Sequence, residues 1–221
     1  MKKEVFAKGL SKEKLWCIFI IACIFGCYFE MIKNLIEHFI SNGDLFWERR
    51  SGLIYGPFSI VYGVGAVLLT IFLINKNYKS FNIFIFGGLI CGFLEYLINF
   101  LQEKFIGTIS WDYSDQFLNI NGRTTIPIII GWGLLCLVFV KIIYPFLSRI
   151  IEKIPKKIGT VILRVLIIFL IIDMFISFSA LIRQFLRRKD VKPFTIYGEL
   201  LDKYYTDERL AKAYPNMVAK D

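Results

Sequence analysis

The sequence predicts an all-α, polytopic membrane bundle of about five transmembrane helices, with two repeated helical hairpins. Three observations carry that prediction. The 221-residue chain is 56% hydrophobic, with a mean hydropathy of +0.58, above the roughly 45–50% apolar usage of soluble domains. The excess is gathered in long runs at 15–40, 55–75, 81–104, 125–148 and 159–183, each near or above the ~20 residues that a bilayer requires. The third observation is an internal repeat. Glu30 and Asn34 are four apart, as are Glu95 and Asn99, and Gly52 precedes Pro57 by the same five residues that separate Gly122 from Pro127. Five residues beyond each proline stands an aromatic–glycine pair, Tyr62-Gly63 and Trp132-Gly133.

The N-terminal segment carries Lys2, Lys3, Lys8, Lys12 and Lys14 ahead of the apolar run Leu15–Phe29. It has the charged and apolar regions of a signal peptide, and Ile20-Ile21-Ala22-Cys23 loosely matches a lipoprotein box. The apolar pattern continues past the cysteine, however, and the repeat needs Glu30 and Asn34 attached to this helix, so the expectation is a retained first span. At 1.5 Å per residue, Glu30 lies about 22 Å into its span and Glu95 about 21 Å into its own. Both carboxylates then fall in the half of the membrane where Pro57 and Pro127 open the return helices, proline being suited to a first turn. Ala22, Gly26, Glu30 and Asn34 form one stripe, and Gly88, Gly92, Glu95 and Asn99 form its counterpart. Small residues at that spacing let helix backbones approach, so both stripes are expected to face other helices.

The predicted layout is a transmembrane bundle over 1–183, with repeat one at 15–75, repeat two at 81–148 and a fifth helix at 159–183. A polar tail, 184–221, follows as a short amphipathic helix ending near Pro215, lying at the interface or packed back on the bundle. The early lysines favour a cytoplasmic N-terminus, and Lys76, Lys79, Arg149, Lys153, Lys156 and Lys157 agree. Five full crossings would then put Arg183, Arg187, Arg188, Lys189 and Lys192 outside, against the positive-inside rule, so the side of the tail is left open.

Several functions are excluded. The net charge of +9 sits at segment ends, which suits anionic lipid and topology signalling and not nucleic acid. The five cysteines lie inside apolar runs, with no C-x-x-C pair and one histidine, His38, so neither a disulfide framework nor a metal site is expected. No Walker A string, H-E-x-x-H or G-x-S-x-G occurs; no cofactor is expected, and the chain leans away from being an enzyme.

An ionisable group at membrane depth is a functional candidate because leaving it unpaired costs several kcal/mol. The candidate polar site comprises Glu30, Asn34, Arg50, Glu95, Asn99, Trp111, Asp112, Asn121 and Arg123, with helix starts at Gly56, Pro57, Gly122 and Pro127. Two roles stay open. The carboxylates line one pseudo-symmetric cavity, or each holds its own hairpin at a helix N-terminus. The loop W-D-Y-S-D-Q-F-L-N-I-N-G-R offers Asp112, Asp115, Asn119, Asn121 and Arg123 for hydrogen bonding, with Asn121-Gly122 as a turn. Arg123 either meets a ligand or pairs with Glu95 or Asp112, and Asp173 is expected to meet Arg164 or a bundle partner.

Together G-L-I-Y-G-P-F-S-I-V-Y-G-V-G-A, W-D-Y-S with N-I-N-G-R, and the tail strings L-D-K-Y-Y-T-D-E-R-L and Y-P-N-M resemble a small bacterial membrane family labelled putative ABC-transporter type IV, or CmpB-like. The resemblance implies a transport-related, permease-like subunit of the cell membrane that works with an ATPase or as a homo-oligomer. The alternative is a non-transport membrane protein that handles lipid headgroups or assists assembly.

Overall fold

The computed structural model describes residues 5–74 and 76–220; Lys2 and Lys3, read above as topology signals, lie outside them. The helices among the described residues are α1 (Lys12–Asn42), α2 (Ile60–Leu73), α3 (Ser80–Ile106), α4 (Ile126–Val138), α5 (Tyr144–Lys153), α6 (Lys156–Arg188), α7 (Ile196–Tyr204) and α8 (Asp207–Ala213). Short strands of two residues accompany them: β1 (Thr108–Ile109), β2 (Asn119–Ile120), β3 (Thr124–Thr125) and β4 (Val218–Ala219). The fold is thus almost entirely helical. Between α4 and α5 a π-helical turn, Phe139–Ile143, precedes Pro145. Proline has no N–H for the i→i−4 ladder, and the wider turn absorbs the missing bond without ending the helix.

Four helical stretches are long and apolar enough to cross a membrane: Lys12–Asn42, Ser80–Ile106, Ile126–Lys153 and Lys156–Arg188. They match four of the five runs read from the sequence. The remaining run, 55–75, holds a helix of only 14 residues, about 21 Å long against a ~30 Å hydrocarbon core. Its expected first turn at Gly56–Pro57 is not helical: α2 begins at Ile60. The carbonyls of Gly56 and Phe58 accept bonds from Ser51, and Phe58 also accepts from the Gly52 N–H, so this backbone is committed to a loop. The last long helix is unbroken through Asp173.

The chain divides into two compact units, each drawing on both predicted repeats. Unit 1 holds residues 5–22, 61–98 and 112–169; unit 2 holds 23–60, 99–111 and 170–220.

In unit 1, α3 and α4 approach through glycines. A Cβ on Gly88 would stand 2.8 Å from the Ile129 carbonyl, and one on Gly133 2.7 Å from the Phe84 carbonyl. Gly88, Gly92 and Glu95 of the predicted stripe are buried accordingly. Lys14, fully buried, ties the start of α1 to the end of α5 through Ser148 and Glu152, the latter at 2.9 Å. The Cys91 and Cys136 thiols meet at 3.6 Å, and no disulfide joins any of the five cysteines.

In unit 2, α1 buries Cys23, Gly26, Cys27 and Met31, whereas Glu30 and Asn34 are half-buried. The tail forms two helices, capped by the Thr195 and Thr206 hydroxyls as short helices require. They pack on a core that includes Ile54, Ile106, Ala180, Leu201, Leu210 and Tyr214. Strand β4 pairs antiparallel with β1 directly after α3, and the Arg188 guanidinium caps the Ile106 carbonyl at 2.7 Å. The tail therefore packs against the C-terminal end of α3.

Candidate functional site

In unit 1 the loop between α3 and α4 folds into a small hairpin. Asn119 pairs with Thr125 and Ile120 with Thr124, and Asn121 and Gly122 take φ of 52° and 67°. Two successive left-handed residues make the tight turn that matches strand twist, which is why Asn-Gly stands there. The Gly122 carbonyl accepts the Tyr113 N–H at 2.7 Å, and the Asp112 carboxylate accepts the Ser114 N–H at 2.9 Å. The first half of the loop is thereby folded onto the hairpin.

That fold delivers Tyr113 and Thr124 to Glu95, which is 7% exposed. Thr124 Oγ1 donates to Oε2 at 2.7 Å, the Trp132 indole N–H to the same oxygen at 3.3 Å, and the Tyr113 hydroxyl to Oε1 at 3.3 Å. These uncharged donors compensate part of the cost of burying a carboxylate on a membrane-spanning helix. Capping of α4 falls to Thr125, whose hydroxyl accepts the Ile128 N–H, with Pro127 next in the first turn. Trp132 also packs edge-on against Tyr62, ring centroids 5.6 Å apart. Arg123 lies over the Tyr96 ring at 5.8 Å, and the Tyr96 hydroxyl accepts from Asn121 at 2.9 Å.

The other predicted site residues fall in unit 2. Asn99 donates to the Trp111 carbonyl at 2.8 Å, fixing the exit from α3. Arg50 donates to Asn34 Oδ1 at 2.6 Å and pairs with Glu48; Glu30 belongs to the same unit.

Sequence reasoning missed a buried clasp in unit 2. Asp173, 1% exposed, accepts the Tyr55 N–H at 3.3 Å and the Ser177 hydroxyl at 3.0 Å through Oδ1. Ser177 in turn accepts the Ile54 N–H at 2.9 Å. From the other side the Arg49 guanidinium donates to the Leu53, Ile54 and Gly56 carbonyls at 2.8, 2.6 and 3.2 Å. Of the two partners expected for Asp173, Arg164 is exposed and the bundle supplies the other, as loop backbone at Tyr55. The Tyr214 hydroxyl from the tail lies beside Ser177, and burial pushes its pKa up to about 12. The signal available in the sequence was Asp173 and Ser177 four apart, one face of one helix.

The family model described as putative ABC-transporter type IV matches residues 17–178. The chain belongs to this family. Comparison with the curated proteins and with the solved structures finds no match. The family's matched stretch takes in the Glu95 enclosure and the Asp173–Ser177 pair. Family membership and the four long apolar helices together fit a multi-pass, transport-related membrane protein.

Proposed function

We propose that the chain is the membrane subunit of a transport system in the cell membrane, with its N-terminus cytoplasmic, working with a separate ATPase. The supporting observation is the family match across residues 17–178. Within that reading the polar site is the Glu95 enclosure in unit 1, set toward the non-cytoplasmic leaflet, and its solute is polar. A carboxylate kept on a spanning helix among Tyr113, Thr124 and Trp132 is costly to bury and supplies a fixed acceptor beside a polar loop. The reading rests on Glu95; Glu30, Asn34 and Arg50 belong to unit 2. Isolating the full chain from its native membrane in mild detergent tests the proposal. An ATPase recovered in stoichiometric amount, with hydrolysis stimulated by the chain, supports it. Recovery without any ATPase, together with lipid turnover by the isolated chain, rejects it in favour of a headgroup-handling protein.

A further inference from the structure

Along α6 the exposed apolar side chains begin at Ile158 and end at Phe178. That interval, 20 residues of helix, rises about 30 Å, the thickness of a hydrocarbon core. Phe178 therefore marks the edge of the core at the end of α6 nearest the tail. Phe175, one turn inside that edge and 61% exposed, stacks with Tyr197 of α7, with centroids 6.0 Å apart and planes 24° from parallel. The tail thus returns to the depth of the boundary, although it follows a run of charged residues. At this point it displays Phe194 at 87% and Ile196 at 78% exposure. The opposite side of α7 is occupied: Leu201 lies in the unit 2 core, and Gly198 is buried with its N–H on Thr195.

Two large apolar side chains so exposed on a tail segment are costly in water. Beside a helix whose outward face meets acyl chains, one occupant suits them. We infer that Phe194, Ile196 and Tyr197 insert into the boundary between headgroups and acyl chains, so that the start of α7 is an interfacial anchor. Apolar area drives the contact. The neighbouring exposed charges, Lys189, Lys192 and Lys203 with Asp190 and Glu199, nearly cancel, so the anchor does not depend on anionic lipid. Because Leu201 packs with Ile54 and Tyr214, the anchored helix is joined directly to the loop held by Asp173 and Arg49.

The test places a photoreactive benzoylphenylalanine in turn at Phe194, at Ile196 and, as a water-facing control, at Glu208. The full chain is reconstituted in vesicles of phosphatidylcholine alone and of phosphatidylethanolamine with phosphatidylglycerol. After illumination the adducts are identified by mass spectrometry. Lipid adducts at 194 and 196, several-fold above those at 208 and alike in both vesicles, are the expected result. Adducts to a second copy of the chain at 194 and 196 would overturn the inference in favour of a protein interface. Lipid adducts no more abundant than at 208, or confined to the anionic vesicles, would overturn it as well. A variant that fails to fold is recognised by its elution profile, and the two positions serve as independent probes.

Discussion

Each unit buries a carboxylate from a membrane-spanning helix, but the two are used in opposite ways. In unit 1 the protein brings side chains to Glu95: a hydroxyl, a phenol and an indole converge on it from the loop and from α4. In unit 2 Asp173 reaches out to backbone, holding the Tyr55 N–H directly and the Ile54 N–H through Ser177. Losing a side-chain donor leaves groups that can turn to other partners, whereas losing the acceptor of a buried backbone N–H leaves a group that cannot turn away. The comparison teaches that Asp173 is the buried carboxylate that ties down backbone, whereas Glu95 is met by side chains.

The largest expected effect is therefore in unit 2. Asp173→Ala strips the acceptor from Tyr55 and Ser177 and should cost about 3 kcal/mol, read as a lowered midpoint of thermal unfolding in detergent. A midpoint equal to that of the parent protein would break the comparison at its root. Arg49→Leu comes next. One terminal nitrogen of the guanidinium reaches all three carbonyls, and its removal should cost about 2 kcal/mol, with faster amide exchange across residues 53–56 as the local sign. In unit 1, Gly122→Ala puts a Cβ on a residue at φ of 67° and within 2.9 Å of an Asp112 carboxylate oxygen. A cost of about 1–2 kcal/mol is expected, seen as easier proteolysis between 112 and 123 while α3 and α4 persist. If the whole chain melts instead, the hairpin is more tightly coupled to the bundle than described.

A smaller effect sharpens the account of the tail. Burial pushes the Asp202 carboxyl up, but the Arg183 and Arg187 guanidiniums beside it prevail and hold its pKa below the usual carboxylate value. A carboxyl depressed in the folded state contributes stability above its unfolded pKa and loses it as pH falls through the folded one. Amide protection in α7 should thus hold at neutral pH and weaken in acid below the ordinary carboxylate range. Asp202→Asn should flatten that dependence, with a change of under about 1 kcal/mol at pH 7.

The sequence disclosed the spans because a bilayer imposes length and apolarity locally, and four of the five runs are helices long enough to cross. It also disclosed the Asn121-Gly122 turn, whose conformation depends on two adjacent residues. The second run misled because Pro57, a good opener of a helix, is preceded by backbone whose carbonyls Arg49 and Ser51 have taken. Which bundle partner Asp173 takes was unreadable for a related reason. It is a backbone N–H 118 residues away, and backbone groups leave no residue-type signature. Thr124 and Trp132 around Glu95 were hidden likewise, being ordinary residues of a hairpin and a helix until the loop closes.

The comparison of thermal stability between Glu95→Gln and Asp173→Ala, in the same detergent and on the full chain, tests the central claim most directly. A glutamine side chain in place of Glu95 can keep its carbonyl toward Thr124 and Trp132 and donate its amide to the Tyr113 hydroxyl. Glu95→Gln should therefore unfold within about 1 kcal/mol of the parent. Asp173→Ala, which removes the Oδ1 that accepts from both Tyr55 and Ser177, should fall well below both. A Glu95→Gln protein destabilised as much as Asp173→Ala would contradict the account.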